Sequence, residues 1–246
     1  MTKELHILGL FPEILKAYFH ESLLGKASEK NLIAFFYHNL RDHGLGKNRT
    51  VDDKPYGGGP GMVFRSDVVC QAVRAVKAVH AIDRVVLTSP SGELFTAKKA
   101  RQLSDCRSLL FLCGRYEGVD QRAIDLVVDE EISIGDYVLS GGEIAAGVMI
   151  DAICRYVPGV VGKSDSVLND SHEEGTLEHP HYTRPLVFEN MAVPDVLRGG
   201  DHKEIQAWRR LESLKKTWRR RPELLKHAGL SKEELKYIRE LIHARV

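Results

Sequence analysis

Three short runs that read as buried strands, residues 84–87, 109–113 and 131–134, each stop at a cluster of small residues, and a helical period follows each cluster at 96–103, 119–127 and 142–156. Strands that alternate with helices cannot pair as hairpins. They require crossover connections, and therefore a parallel sheet covered by helices on both faces. The same alternation holds upstream. Residues 5–10 end at the turn-like Phe11-Pro12, 13–24 carry apolar residues at helical spacing, and 31–37 are a β-rich apolar run. Ser66 is a suitable cap for a helix through about His80. Residues 40–61 read as loop.

Past Gly159 the pattern changes. Residues 160–181 are rich in Ser, Asp, Glu and His and show no apolar period, which predicts a flexible linker. Helices follow at 202–214, 222–228 and 232–244, the last capped by Ser231. The expected organisation is an α/β domain over 1–159, a linker over 160–181 and a small all-α domain over 182–246.

With 43% hydrophobic and 28% charged residues in 246, the chain can bury a core, which excludes fibrous and disordered classes. Its most apolar stretch, 144–161, is interrupted by Asp151, Arg155 and Pro158, so no membrane span is expected. Glu4 and Pro12 break what a secretory leader would need, and the expected compartment is the cytoplasm. Cys70, Cys106, Cys113 and Cys154 form no C-x-x-C and read as reduced thiols. Net charge is only +1, but it is unevenly distributed. From Arg198 onward 14 Lys and Arg face seven Asp and Glu, while the rest of the chain is acidic. A basic end on an acidic body suits a polyanionic partner; it also suits a solvated helical face.

In open parallel sheets ligands sit beyond the carboxyl ends of the strands. Three small-residue loops at three such ends predict one shared cleft with mostly backbone walls, suited to a ligand with an adenine and a polar tail. The glycine cluster at 57–61 lacks the Gly-Lys-Ser/Thr ending of a phosphate loop. Glu117, Arg155, Asp170 and His172 offer an acid–base set, though a helix-end cation and a linker carboxylate are equally ordinary surface residues.

Four motifs occur in order: Val51-Asp52-Asp53-Lys54-Pro55-Tyr56-Gly57-Gly58-Gly59-Pro60-Gly61-Met62, Gly114-Arg115-Tyr116-Glu117-Gly118-Val119-Asp120, Ser133-Ile134-Gly135-Asp136-Tyr137-Val138-Leu139-Ser140-Gly141-Gly142-Glu143, and His181-Tyr182-Thr183-Arg184-Pro185. Together they closely resemble the bacterial tRNA (guanine-N1)-methyltransferases of the SPOUT class, from Leu5 to the C-terminal helices. Gly9, Lys54 and Glu178 depart from the residues common there, which are Ser, Arg and Asp.

The resemblance implies a parallel α/β fold with a deep trefoil knot, which periodicity alone would not predict. It implies S-adenosylmethionine held by Ser89, Pro90 and Gly92, by Gly114, Arg115, Tyr116 and Glu117, and by Ser133, Ile134, Gly135, Asp136, Tyr137, Val138, Leu139, Gly141 and Gly142. Gly58, Gly59, Arg155 and Ser171 would contact the RNA. It further implies a homodimer with each site between subunits, Mg²⁺ use with no metal ligand assigned, and 1-methylguanosine at tRNA position 37 as product. Asp170 would be the base at guanine N1, Arg155 the stabiliser of charge on O6, and Glu117 a positioning residue. Two rivals are a knotted enzyme acting on a ribose hydroxyl or another base, and an RNA-binding module with a vestigial cleft. The acidic base candidate Asp170 and the Gly114-Arg115-Tyr116-Glu117-Gly118 segment argue against the first. The complete loop set together with Arg155 and Asp170 argues against the second.

Overall fold

The computed structural model describes residues 2–162, 170–173, 175–226 and 228–243. The chain divides into two compact units, 1–164 and 165–246.

In the first unit β1 (Lys3–Gly9), β2 (Ile33–Asn39), β5 (Arg84–Leu94), β6 (Ser108–Cys113) and β7 (Glu130–Ser133) form one sheet in the order β2-β1-β6-β5-β7. Every neighbouring pair is parallel. Successive residues of a strand point to opposite faces, and the core follows that parity. Leu5, Ile7, Val86, Leu109 and Phe111 pack with residues of α2 (Ser22–Glu29), α4 (Ala97–Ser104) and α6 (Glu143–Cys154). Leu8, Val85, Leu87, Leu110 and Leu112 pack with α3 (Ser66–Val79) and α5 (Gln121–Val127). All six residues of β6 are buried, as a strand covered on both faces must be.

Three expectations change. Ser66, expected to cap α3, is its first residue; Arg65 holds the N-cap position, and no side chain caps the helix there. The single helix expected at 13–24 is a 3-10 turn (Pro12–Leu15), α1 (Lys16–Phe19) and then α2. Ser22 has φ of 52°, which breaks the helix, and a Cβ on Gly25 would lie 2.3 Å from the His20 carbonyl oxygen. The strand expected to stop at 87 continues to Leu94. Thr88 and Glu93 both pair with Ile132, so the residues between them form a bulge. Gly92 allows this, since a Cβ there would come within 2.4 Å of the β7 backbone.

Short strands β3 (Asp52–Asp53) and β4 (Val63–Phe64) frame the glycine-rich loop. Cys70, Cys113 and Cys154 are buried, Cys106 is partly so, and all four are free thiols. His6, on the α3 face of β1, is fully buried; that burial, with His38 and His80 beside it, pushes its imidazole down to about 3.

The second unit is not purely helical. A hairpin of β8 (Val187–Phe188) and β9 (Met191–Ala192) turns at Glu189 and Asn190, whose φ values of 48° and 65° are those of a type I′ turn. The long helix α7 (His202–Arg220) runs a turn and a half beyond the expected 202–214, because Leu214 and Thr217 are buried and extend its packed stripe. Of the helix expected at 222–228, Pro222–Lys226 is a 3-10 turn, and residue 227 lies outside the described residues. Ser231 and Glu234 cap α8 (Lys232–His243) reciprocally: Glu234 N–H donates to Ser231 Oγ and Ser231 N–H to the Glu234 carboxylate. Part of the segment read as a linker packs on α7. Leu177 N–H donates to Thr217 Oγ1 at 2.8 Å, and Ser213 Oγ donates to Leu177 O at 2.6 Å. Residues 163–169 lie outside the described residues. Among the described residues no helix is long and apolar enough to cross a membrane.

Candidate active site

Beyond the carboxyl ends of β5, β6 and β7 the three small-residue loops enclose a cavity of about 360 Å³. Its lining contains Ser89, Pro90, Gly114, Arg115, Tyr116, Glu117, Ser133, Ile134, Gly135, Tyr137, Val138, Leu139, Gly141 and Gly142. Of the residues expected to hold a cofactor, only Gly92 and Asp136 are not in that lining. Gly92 is in the β5 bulge and Asp136 is exposed.

The loops are tied to one another through backbone. Gly142 N–H donates to Gly114 O at 2.8 Å, and Arg115 forms an isolated bridge with Gly141. A Cβ on Gly142 would fall 1.9 Å from Thr88 Oγ1, so only glycine lets the three strand ends meet. The third loop folds on itself: Gly135 N–H donates to Ser133 Oγ, Tyr137 N–H to Gly135 O, and the Tyr137 hydroxyl to Ile134 O. Tyr116 has φ of 59°, a left-handed conformation that costs a non-glycine residue roughly 1–3 kcal/mol and that concentrates at functional loops.

The glycine-rich segment lies beside the second loop. Glu117 N–H donates to Met62 O, Phe64 N–H to Gly118 O, and Asp120 N–H to Phe64 O, each between 2.9 and 3.0 Å. A Cβ on Gly61 would strike the Glu117 carboxylate at 2.3 Å. Gly58 and Gly59, expected to face the substrate, have φ of 80° and 119° and open space where a side chain would be. The loop thus presents bare backbone next to an exposed carboxylate.

One residue that ties the site together carried no role in the sequence reading. Glu143, 1% exposed at the start of α6, accepts from Arg115 Nε at 3.1 Å and from Phe11 N–H at 3.1 Å. Arg115 also lies over the Phe11 ring, 4.6 Å from its centre. The signal was available: a charged residue directly after Gly141-Gly142, opening a helix whose next seven residues carry no charge. Burial, and the Glu143 carboxylate beside it, hold the Cys113 thiol well above its ordinary range, so that thiol is not a nucleophile.

Arg155 caps the far end of α6. Arg155 is 13 residues beyond Gly142, so at 1.5 Å per residue it lies about 20 Å along the axis from it. The structure does not bring it to the cleft of its own unit. Asp170 lies in the second unit, in a cavity of about 400 Å³ also lined by Thr176, Leu177, Glu178, His179, His181, Gln206, Arg209, Arg210 and Ser213. Ser171, expected to touch substrate, accepts the Glu178 N–H at 3.0 Å and shapes the turn after Asp170. His172 has φ of 80°, and its N–H donates to Thr176 O.

The cleft fits a nucleoside-type ligand. Leu87, Ile124, Ile132, Val138 and Leu139 supply apolar wall, and the loop backbones supply polar groups.

The model of the tRNA (Guanine-1)-methyltransferase TrmD family matches residues 3–227. A tRNA (guanine-N(1)-)-methyltransferase of Dictyoglomus turgidum is 49% identical over 235 residues, covering 96% of this chain and 95% of that protein. One from Dehalococcoides mccartyi is 46% identical over 240 residues, 97% of each chain. One from Bacillus cereus is 47% identical over 239 residues, covering 97% and 98%. With its sheet order, its three joined strand-end loops and a match that spans both units, the chain belongs to the tRNA (guanine-1)-methyltransferase TrmD family.

Proposed function

We propose that the protein transfers a methyl group to N1 of guanine-37 of tRNA, giving 1-methylguanosine, with S-adenosylmethionine held in the cleft beyond β5, β6 and β7. The observation that carries this reading is the backbone-walled cleft itself, formed by the three loops of a chain whose relatives are named for this reaction. Bound there, S-adenosylmethionine supplies an already activated methyl electrophile. The chain must then deal with guanine, whose N1 is protonated at neutral pH. Asp170 takes that proton, Arg155 stabilises the charge that spreads to O6, and Glu117 positions the base beside Gly58 and Gly59. The anticodon-loop nucleotide must leave its stack to reach the cleft. Mg²⁺ belongs to the proposal through the family resemblance alone, with no ligand set assigned.

We propose further that the active protein is a cytoplasmic homodimer with sites between subunits. One fact supports a shared site: the roughly 20 Å between Gly142 and Arg155 along α6. A trefoil knot through the three loops is part of the same reading, supported by the Gly142–Gly114 and Arg115–Gly141 links that pull the third loop against the second.

Methylation of an unmodified tRNA transcript, followed by digestion and nucleoside identification, tests the whole. The expected product is 1-methylguanosine, lost when position 37 is changed from guanine. A ribose-methylated nucleoside, or cofactor-dependent binding without product, refutes it.

Gly114→Val tests the cleft. A Cβ there meets only Thr88 O, at 3.6 Å, so the chain tolerates it while the added bulk enters the cavity. Calorimetry should show S-adenosylmethionine affinity at least tenfold weaker, with the melting temperature within a few degrees of wild type. Gly141 is a poorer probe, because a Cβ there lies 2.7 Å from both Arg115 Nε and Glu143.

The basic second unit should contact phosphates. Lys216, Arg219 and Arg220 are exposed on the last turns of α7. Replacing all three with Gln should lower the slope of log affinity for tRNA against log salt by about 2–3, at near-normal cofactor affinity. An unchanged slope would leave these residues as solvated surface.

A further inference from the structure

We propose that Glu4, His6 and His80 form a binding site for one divalent cation of the zinc class, on the α3 face of the sheet and apart from the cofactor cleft. Glu4 and His6 are two residues apart on β1 and so share a face. His80 caps α3, the helix that covers that face. One ligand atom from each of the three lies within 4.8 Å of the other two. None of them lines the cleft.

The arrangement has an unexplained polar atom at its centre. His6 is fully buried, and among the described residues its Nε2 has no hydrogen-bond partner. A buried polar nitrogen left so forfeits its hydration with nothing in exchange. The nearest carboxylate oxygen, Glu4 Oε2, is 3.7 Å away, beyond hydrogen-bond reach. That distance is close to the spacing of two ligands on one ion: at about 2.0–2.2 Å from a tetrahedral metal, ligand atoms are roughly 3.3–3.5 Å apart.

The surroundings match what a ligating imidazole needs. His6 Nδ1 lies 3.0 Å from His38 Nε2. With Nδ1 as donor to His38, the His6 lone pair is on Nε2, facing Glu4 and His80; such an outer partner fixes the tautomer of metal-bound histidines. Arg107 holds the other Glu4 oxygen at 3.5 Å, which leaves Oε2 for the ion. Phe36, stacked on His6 with centroids 4.5 Å apart, closes one side. Two imidazoles and one carboxylate favour zinc-like ions over Mg²⁺ or Ca²⁺, which prefer oxygen alone. Packing of the rings accounts for the stack, but it gives Nε2 no partner. The other trio of this kind among the described residues, Glu178, His179 and His181, is already committed to an ion pair of 2.8 Å between His181 and Glu178.

The test uses the full-length protein, treated with chelator and titrated with Zn²⁺ alone by calorimetry, with Co²⁺ absorption as a second readout. The expected result is one equivalent bound with a raised melting temperature. Glu4→Gln and His80→Ala should each weaken binding at least tenfold, while His179→Ala/His181→Ala leaves it intact. Because a histidine variant could unfold, ¹⁵N spectra of wild-type histidines provide an independent reading: Zn²⁺ should shift the His6 and His80 ring nitrogens. The proposal is overturned by the absence of stoichiometric binding, by unmoved His6 resonances, by folded Glu4→Gln and His80→Ala chains that bind normally, or by binding that depends on His179 and His181 instead.

Discussion

Asp170→Asn should reduce single-turnover methylation of tRNA by on the order of 10²–10⁴ while leaving tRNA and S-adenosylmethionine affinities within a few-fold. Asparagine keeps the size of the side chain and its hydrogen bonding but cannot accept the guanine N1 proton. The surrounding turn has several ties besides the Asp170 side chain. It is held by Leu177 on Thr217, by Ser213 on Leu177 O and by Glu178 N–H on Ser171 Oγ, so the variant should fold. His172 is the competing base, two residues on, exposed and with its N–H committed to Thr176 O. If His172→Ala abolishes the chemical step and Asp170→Asn does not, the histidine takes the role. The same variant tests assembly. At a cofactor concentration too low to fill the weakened cleft, chains carrying Gly114→Val and chains carrying Asp170→Asn should each have little activity alone. If a site takes its cleft from one chain and Asp170 from the other, random mixing makes half of the dimers mixed, each with one intact site, and restores about a quarter of wild-type activity. A site built within one chain gives no recovery.

Glu143→Ala should destabilise the first unit by about 3–5 kcal/mol, because it removes one partner of a buried ion pair and leaves the other uncompensated. The Arg115 side chain is only 22% exposed and would lose its carboxylate, and the Phe11 N–H would lose its acceptor. Denaturant unfolding of that unit reads the loss. Glu143→Gln keeps acceptors for both donors and should cost markedly less. In conditions where Glu143→Ala stays folded, cofactor binding should weaken as well, since Arg115 lines the cleft and its loop is bridged to Gly141. Stability within 1 kcal/mol of wild type would mean that the pair does not hold the loop.

The sheet was legible because its strands are buried on both faces. A run such as Leu109-Leu110-Phe111-Leu112-Cys113 has few alternatives to a central parallel strand, and the small residues after it mark a strand end. Local chemistry also located the cap at Ser231, whose side chain meets its own backbone three residues on, but not the one expected at Ser66, which is already the first residue of α3. The cleft was legible for a related reason: three small-residue loops at three parallel strand ends share one edge whatever the details.

What remained needed long-range contacts. The break between α1 and α2 depends on Gly25 meeting the His20 carbonyl, and helical periodicity does not encode that contact. The extra length of β5 depends on β7 accepting both Thr88 and Glu93 opposite one residue. The packing of Thr176 and Leu177 required α7 to offer Ser213 and Thr217, polar side chains that bury only when partnered. Glu143 and His6 show the limit most clearly. Each is a polar residue in an apolar context, and composition alone gives such a residue no role. Only the fold decided that Glu143 would meet Arg115, 28 residues away, and that His6 would lie between Glu4 and His80 with its Nε2 unpaired. Sequence determines which groups must be buried or exposed, because that follows from each residue and its near neighbours. Which buried polar groups find each other is set by the crossing of distant segments, and that only the tertiary structure decides.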